Sequence, residues 1–135
     1  MNSGILEVKQ IDHINLRVKN LAESIDFYSK YFGFEIKEDH ADDIEEPWVI
    51  IGLADIAYLC MYEHPDKEIS STSLTINHFG FSINNFNKAL DQLYANGVEV
   101  LYDGYVQWPG SRSIYIKDPS GHEIELAEKT GGNLR

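Results

Sequence analysis

The chain has 135 residues, of which 43% are hydrophobic and 24% are charged, a composition typical of a globular domain rather than of a disordered or membrane-spanning chain. Its 22 acidic and 11 basic residues give a formal net charge of −11, which argues against binding to nucleic acid or to an anionic membrane surface. Its single cysteine cannot form an intrachain disulfide and no signal-peptide pattern is present, so we expect a cytoplasmic protein.

The first half of the chain predicts the element order βαβββ. Polar and apolar residues alternate over residues 8–18, which is typical of a strand with one buried face. Asn20 followed by Glu23 forms a capping pattern at the start of a helix, and Gly33 supplies its end. Three further strands are expected, at about 34–39, 47–53 and 56–62.

The second half predicts the same order of elements. A strand at 74–83 leads into a helix that Asn84 or Asn85 caps and Gly97 ends. The sequence Asp-Pro-Ser-Gly that begins at Asp118 is typical of a type I turn between the last two strands. The other strands of this half are expected at about 98–103, 111–117 and 122–128.

The two halves repeat one pattern at a fixed offset. His13 and His78 are 65 residues apart, and the same separation relates Asn20 to Asn85. An internal repeat of this kind often decides the architecture of a whole chain. We therefore predict a single domain over residues 1–135, built from module 1 at about 8–63, a polar linker at 64–73 and module 2 at about 74–128.

Three potential metal ligands occupy strands of the two modules. His13 and His78 stand in the first strand of each module, and period-two alternation places Glu125 on one face of the last strand. A carboxylate among apolar neighbours must be paired, protonated or bound to a metal. Two imidazoles and one carboxylate form a ligand set that leaves coordination positions open. The pattern therefore predicts a divalent-metal site at His13, His78 and Glu125, where the ion acts as a Lewis acid or activates water or O₂.

Two βαβββ modules, a histidine in the first strand of each and the sequence Asp-Pro-Ser-Gly-His-Glu-Ile-Glu-Leu at 118–126 resemble the vicinal oxygen chelate superfamily. That superfamily includes glyoxalase I, fosfomycin-resistance enzymes, extradiol dioxygenases and bleomycin-binding proteins. The resemblance implies an α+β fold in which the two modules form a glyoxalase-like half-barrel, and it implies a homodimer. It also implies that His13, His78 and Glu125 bind Mn, Fe, Zn or Ni, with His13 supplied by the same chain or by its partner.

The resemblance further implies a metal-dependent enzyme that acts on a small oxygenated molecule as a lyase, isomerase, thiol transferase or epoxide hydrolase. One of these branches uses a thiol co-substrate. Glyoxalase I has a fourth ligand, a glutamate in the last strand of the first module. The repeat offset places the corresponding residue at one of three positions, none of which is a carboxylate: Leu59, Cys60 and Met61. Because Glu63 lies at the strand end, a three-ligand site is expected, with Cys60 as a small buried residue.

Further site candidates come from a local likeness to fosfomycin-resistance enzymes over residues 105–115. In those enzymes a serine and a tyrosine line the site, and Ser113 and Tyr115 match them, so Ser113 would hydrogen-bond the substrate and Tyr115 would orient it or move a proton. The candidate general base is Glu45 or its neighbour Glu46. Five other residues are candidates for contact with the substrate: Asn15, Arg112, Lys117, Tyr105 and Trp108.

Two alternatives remain open from the sequence. An extradiol dioxygenase using Fe(II) also has a tyrosine ten residues before its glutamate ligand, as Tyr115 precedes Glu125, and would need an acid–base histidine such as His64. We expect His64, His40 and His122 to lie at the surface. A metal-free binding protein of the bleomycin-resistance type would instead hold its ligand by aromatic stacking, for which the candidates are Trp48, Trp108, Tyr58, Tyr62, Tyr102 and Tyr105.

Overall fold

The structure is a computed structural model that describes residues 5, 11, 13–65, 78–108 and 110–129. The beginnings of the strands predicted at 8–18 and 74–83, and most of the linker predicted at 64–73, lie outside the described residues. The chain divides into two compact units, Met1–Lys67 and Glu68–Arg135. Within the described ranges, no helix is long and apolar enough to cross a membrane.

The first unit contains a four-stranded sheet and one helix. Its elements in chain order are β1 (Ile14–Val18), α1 (Leu21–Phe32), β2 (Glu35–His40), β3 (Trp48–Leu53) and β4 (Ala57–Glu63). The strand order in the sheet is β1-β4-β3-β2, with β1 parallel to β4 and the other neighbours antiparallel. The predicted order βαβββ is confirmed for this module.

The second unit has the same arrangement. Its elements are β5 (Phe79–Ser82), α2 (Phe86–Ala95), β6 (Val106–Trp108), β7 (Ser111–Lys117) and β8 (Glu123–Lys129). The strand order is β5-β8-β7-β6, and the only parallel pair among these described strands is β5 with β8. Helices α1 and α2 both begin immediately after an asparagine, and their first residues differ by the repeat offset of 65. The α+β class and the repeated module are therefore confirmed.

Each sheet separates an apolar face from a more polar one, because side chains alternate along a strand. In the first unit, α1 contacts β3 and β4. The apolar face there is formed by Leu16, Val18, Val49, Ile51, Leu59 and Met61, all buried. The corresponding face of β7 and β8 in the second unit is formed by Ile114, Ile116, Ile124 and Leu126, also buried. Burying one such side chain contributes about 1.5–3 kcal/mol, so these faces hold each sheet in place and leave the opposite faces available for polar groups.

The two helices begin differently. At α1 the Asn20 side chain accepts a hydrogen bond from the Glu23 backbone N–H at 2.8 Å, as the capping pattern predicts. The Glu63 carboxylate accepts a second one from the Leu21 N–H at 2.9 Å. At α2, Asn85 lies in the left-handed region at φ 56° and its side chain makes no capping hydrogen bond. The boundary predicted at Asn85 is therefore confirmed, but a capping role for its side chain is not.

The strand predicted at 98–103 is wrong. The strand in this part of the chain is the three-residue β6, which begins at Val106. Tyr102, Asp103 and Gly104 have φ values of 59°, 60° and 117°, which an extended strand cannot contain. The Leu101 N–H nevertheless donates to the Tyr115 carbonyl at 2.9 Å, so the turn is attached to the middle of β7.

Candidate metal-binding site

Glu125 is the centre of a polar cluster in the second unit. Its Oε1 lies 3.0 Å from His78 Nε2, and its Oε2 accepts a hydrogen bond from the Ser113 hydroxyl at 2.5 Å. The Glu125 side chain is 18% exposed and the His78 side chain 34%, whereas Ser113 is fully buried. The carboxylate is thus held on both oxygens, and the imidazole that it contacts remains accessible to a small molecule or ion.

Strand register brings this cluster together. Glu125 is the Cα partner of Tyr115 on β7 and of Gly80 on β5. Ser113, two residues before Tyr115, lies on the same face of β7, which allows its hydroxyl to reach Glu125. A Cβ atom at Gly80 would lie 3.3 Å from the Cβ and the carbonyl oxygen of Glu125. The glycine therefore leaves the space in which the Glu125 side chain turns toward His78.

Two tyrosines pack around the cluster. Tyr115 is buried, and its ring meets the His78 ring edge to face with centroids 5.7 Å apart. The Tyr102 ring meets Tyr115 in the same manner at 5.2 Å, and its hydroxyl donates to Glu123 Oε1 at 2.8 Å. That hydrogen bond favours the protonated phenol and raises the pKa of Tyr102. The sequence gives Tyr102 only as an aromatic candidate for a metal-free pocket, because it predicts a strand where this turn lies.

The donor atoms of this cluster fit part of a metal site. An imidazole nitrogen and a carboxylate oxygen converge, and the second carboxylate oxygen is fixed by a hydroxyl, as is common for carboxylates that bind metals. His13, the third predicted ligand, is an exposed residue of the first unit, just before β1. In the described part of the chain, no group of three His, Cys, Asp or Glu side chains is assembled. The structure thus brings together two of the three predicted ligands, His78 and Glu125.

The first-module counterpart of Glu125 is a cysteine. Asn15 pairs with Cys60 in the parallel ladder of the first unit, and Gly80 pairs with Glu125 in that of the second. Asn15 and Gly80 are 65 residues apart, and so are Cys60 and Glu125. Of the three candidate positions in the first module, Cys60 therefore corresponds to Glu125. Cys60 is buried, as expected, and burial raises the pKa of its thiol. Glu63 is already used, since its carboxylate caps α1.

Arg112 and Tyr105, two of the candidates for contact with the substrate, lie together beside Phe86. Arg112 Nε donates to Glu128 Oε1 at 2.8 Å, and its guanidinium lies 4.1 Å from the centre of the Phe86 ring. Tyr105 packs edge to face against the same Phe86 ring at 5.6 Å. Because Arg112 precedes Ser113 on β7, alternation directs the two side chains to opposite faces of the sheet. Both Arg112 and Tyr105 therefore pack against Phe86, the first residue of α2.

The remaining predicted site residues are spread over both units. Lys117 is exposed and pairs with Glu123 across β7 and β8, on the same face as Tyr115. Asn15 and Glu45 are exposed residues of the first unit, and the Glu45 N–H donates to the Asp43 carboxylate at 3.0 Å. The side chain of Trp108 lies outside the described residues.

The three other histidines have different surroundings. His64 is partly exposed and lies 3.2 Å from the Glu46 carboxylate. His40 is exposed, as expected, and its ring stacks on Trp48 with centroids 4.1 Å apart. The surface position expected for His122 is wrong, because it is only 7% exposed. Its backbone N–H donates to the buried Asp118 carboxylate at 2.8 Å, which draws the end of the predicted turn into the protein.

Comparison with known proteins gives a family and several relatives. The sequence profile of the Glyoxalase/Bleomycin resistance protein/Dioxygenase superfamily matches residues 10–126. A lactoylglutathione lyase of Escherichia coli O157:H7 is 29% identical over 131 residues, covering 87% of this chain and 90% of the lyase. A metallothiol transferase FosB of Staphylococcus haemolyticus (strain JCSC1435) is 30% identical over 121 residues, covering 88% of this chain and 83% of the transferase.

Two solved structures with similar folds are a domain of this superfamily and a fosfomycin resistance protein. A glyoxylase/bleomycin resistance protein/dioxygenase domain from Frankia sp. EAN1pec has a TM-score of 0.79 at 16% identity, over 94% of this chain and 96% of that domain. A point mutant of the fosfomycin resistance protein FosX from Listeria monocytogenes, complexed with Mn(II) and 1S,2S-dihydroxypropylphosphonic acid, has a TM-score of 0.74 at 25% identity. The second match covers 95% of each chain.

Proposed function

Because the chain belongs to the Glyoxalase/Bleomycin resistance protein/Dioxygenase superfamily, we propose that it is a metal-dependent enzyme acting on a small oxygenated molecule. The metal ligands in this proposal are His13, His78 and Glu125. The observation that carries it is the cluster of His78, Glu125 and Ser113, in which a carboxylate and an imidazole converge at 3.0 Å. Relatives whose names include a metallothiol transferase, and a FosX structure with Mn(II), support a divalent ion.

The residues of the cluster have distinct roles in this proposal. A bound divalent ion would act as a Lewis acid on the substrate oxygens. Glu125 and the neutral imidazole of His78 hold the ion, and the buried Ser113 hydroxyl keeps Glu125 in its orientation. Tyr115 packs on His78 and orients the substrate or moves a proton. Lys117 lies on the same face, and its ammonium group contacts an anionic group of the substrate in this proposal.

Among the reactions of the family, we propose one of the fosfomycin-resistance type rather than that of a lactoylglutathione lyase. The support is Cys60. It occupies the position of the first module at which glyoxalase I would have a fourth, carboxylate ligand, and its raised pKa favours the neutral thiol. The proposal includes a homodimer, a thiol or water as co-substrate, and two residues of the first unit, Asn15 for substrate contact and Glu45 as general base. His13 comes from the same chain or from its partner.

Metal binding tests the site itself. Isothermal titration of the untagged chain with Mn²⁺, Fe²⁺, Zn²⁺ and Ni²⁺ is expected to show one tight site per chain, lost in His78→Ala and Glu125→Ala. His40→Ala is the matched control, since His40 also lies beside a glutamate, at 3.7 Å from Glu38. Background binding of all four ions to the wild-type chain would overturn the enzyme proposal and leave a metal-free binding protein.

Activity measurements separate the reactions. We expect Mn²⁺-dependent loss of fosfomycin with a thiol or with water, and no isomerisation of the hemithioacetal of methylglyoxal and glutathione. The opposite result would replace the fosfomycin-resistance type by the lyase. Oxygen uptake with catechols and Fe²⁺ would instead identify the dioxygenase, for which His64 would have to leave Glu46.

A further inference from the structure

The turn before β6 has an unusual backbone. Tyr102 and Asp103 are consecutive non-glycine residues with φ values of 59° and 60°, and Gly104 follows at 117°. Left-handed conformations are unfavourable for L-residues with bulky side chains, and they persist where surrounding contacts enforce them. Tyr102 is 60% exposed, so burial of its ring does not account for this conformation. Its specific contacts are the remaining explanation.

Those contacts are made to β7 and β8, the strands that carry Tyr115 and Glu125. The Leu101 N–H is bonded to the Tyr115 carbonyl, and the Tyr102 ring packs on the Tyr115 ring. The Tyr102 hydroxyl donates to Glu123 Oε1 at 2.8 Å. The turn therefore positions one hydroxyl against one carboxylate of β8.

Glu123 is a second carboxylate on the face of Glu125. The two residues are separated by one position on β8, so their Cα atoms lie about 7 Å apart and their side chains point to the same side. A flexible glutamate at that distance can reach an ion bound at Glu125. The two carboxylates are held differently, Glu125 by His78 and Ser113, and Glu123 by Tyr102.

We propose that Tyr102 is a positioning residue that keeps Glu123 from becoming an additional metal ligand. With Glu123 tied to the phenol, Glu125 is the carboxylate of β8 that holds the ion, and coordination positions stay open for the substrate. This inference rests on the proposed metal site. It explains why a strained turn stands beside Tyr115, and it makes Tyr102 a determinant of how many substrate atoms can bind.

The test uses Mn²⁺ alone as the probe on the untagged full chain, with affinity from titration calorimetry and bound water counted by water-proton relaxation. Tyr102→Phe keeps the ring and removes the hydroxyl. We expect it to bind Mn²⁺ about tenfold more tightly, a gain of about 1.4 kcal/mol, and to hold fewer bound waters. Both changes should vanish in the double variant with Glu123→Gln. The control is Tyr94→Phe, which removes another exposed tyrosine hydroxyl of the second unit and should match the wild type.

Each outcome has a definite meaning. Unchanged affinity and hydration in Tyr102→Phe overturn the inference, as does a change that persists when Glu123 is glutamine. Glu123→Gln alone should leave the number of bound waters unaltered, and a gain of water there would mean that Glu123 is already a ligand. A wild-type chain that binds no Mn²⁺ overturns the proposed metal site and this inference together, whereas Mn²⁺ binding without coupling between Tyr102 and Glu123 overturns the inference alone.

Discussion

Replacing Ser113 by alanine removes the hydroxyl that holds the second oxygen of Glu125. The hydrogen bond is 2.5 Å long and Ser113 is fully buried, so the alanine variant loses a well-ordered donor to Glu125. A hydrogen bond to a charged acceptor contributes about 1.5–3 kcal/mol. Since about 1.4 kcal/mol corresponds to a tenfold change in an equilibrium constant, we expect Ser113→Ala to weaken Mn²⁺ binding by about 10–100-fold.

The assay is calorimetric titration of Mn²⁺, with urea denaturation of the metal-free chain as the companion measurement. Ser111→Ala is the matched control, because Ser111 is a buried serine on the same face of β7 but lies opposite Lys129 rather than near Glu125. We expect Ser111→Ala to leave Mn²⁺ affinity within about twofold of the wild type, whatever it does to the free energy of unfolding.

Wild-type Mn²⁺ affinity in Ser113→Ala would refute this reasoning. If Ser113 instead contacted the substrate, as its likeness to fosfomycin-resistance enzymes suggests, alanine would raise KM and leave metal affinity unchanged. The Mn²⁺ titration therefore distinguishes the two roles, because metal affinity falls only if Ser113 orients Glu125. The buried position of the hydroxyl favours the orienting role.

Three further changes give measurable effects. Glu63→Ala should lower the free energy of unfolding by about 1 kcal/mol, since it removes an acceptor from the first turn of α1; an unchanged urea midpoint would contradict this. Asp103→Gly should raise Tm, because glycine adopts φ 60° without strain, and the gain in the free energy of unfolding should be about 1 kcal/mol at most. A lower Tm would show that Asp103 makes a contact that stabilises the fold by more than this strain costs. Cys60 should react with a thiol reagent at pH 8 far more slowly in the folded chain than in urea, because burial raises its pKa. For the same reason folding stability should fall as pH rises above the pKa of the unfolded thiol, a loss that Cys60→Ala should remove.

Local patterns predicted most of the fold because each element is specified by adjacent residues. The polar start of α1 at Asn20 and its glycine end at Gly33 are formed as expected, with Gly33 at φ 69°. The repeat offset and the period of a strand predicted His78 and Glu125 as members of one site, and the pairing of β5 with β8 brings their side chains into contact. Alternation alone also separates Arg112 from Ser113 and leaves Lys117 as the basic residue of β7 that shares the face of Ser113 and Tyr115.

Other features depend on contacts between residues far apart in the sequence. The run from Val98 to Asp103 alternates like a strand, yet Tyr102 adopts positive φ in a turn that contacts Tyr115 and Glu123. His122 is drawn inward because the Asp118 carboxylate accepts the N–H groups of Ser120 and His122. A turn pattern predicts the reversal of the chain, but it does not reveal which side of the turn is buried.

The constant register of the two ladders has an evolutionary consequence. Slipping a strand by one residue would exchange its two faces, so insertions and deletions within β1, β4, β5 and β8 would be removed by selection. The connections are under no such constraint. Seven residues, 41–47, join β2 to β3, whereas β6 and β7 are separated only by residues 109 and 110. If the halves arose by duplication of one ancestral module, the segment between each helix and its third strand has kept its length of 15 residues, 33–47 and 96–110, while the strand and turns within it have moved. That segment is where relatives with other substrates should differ most.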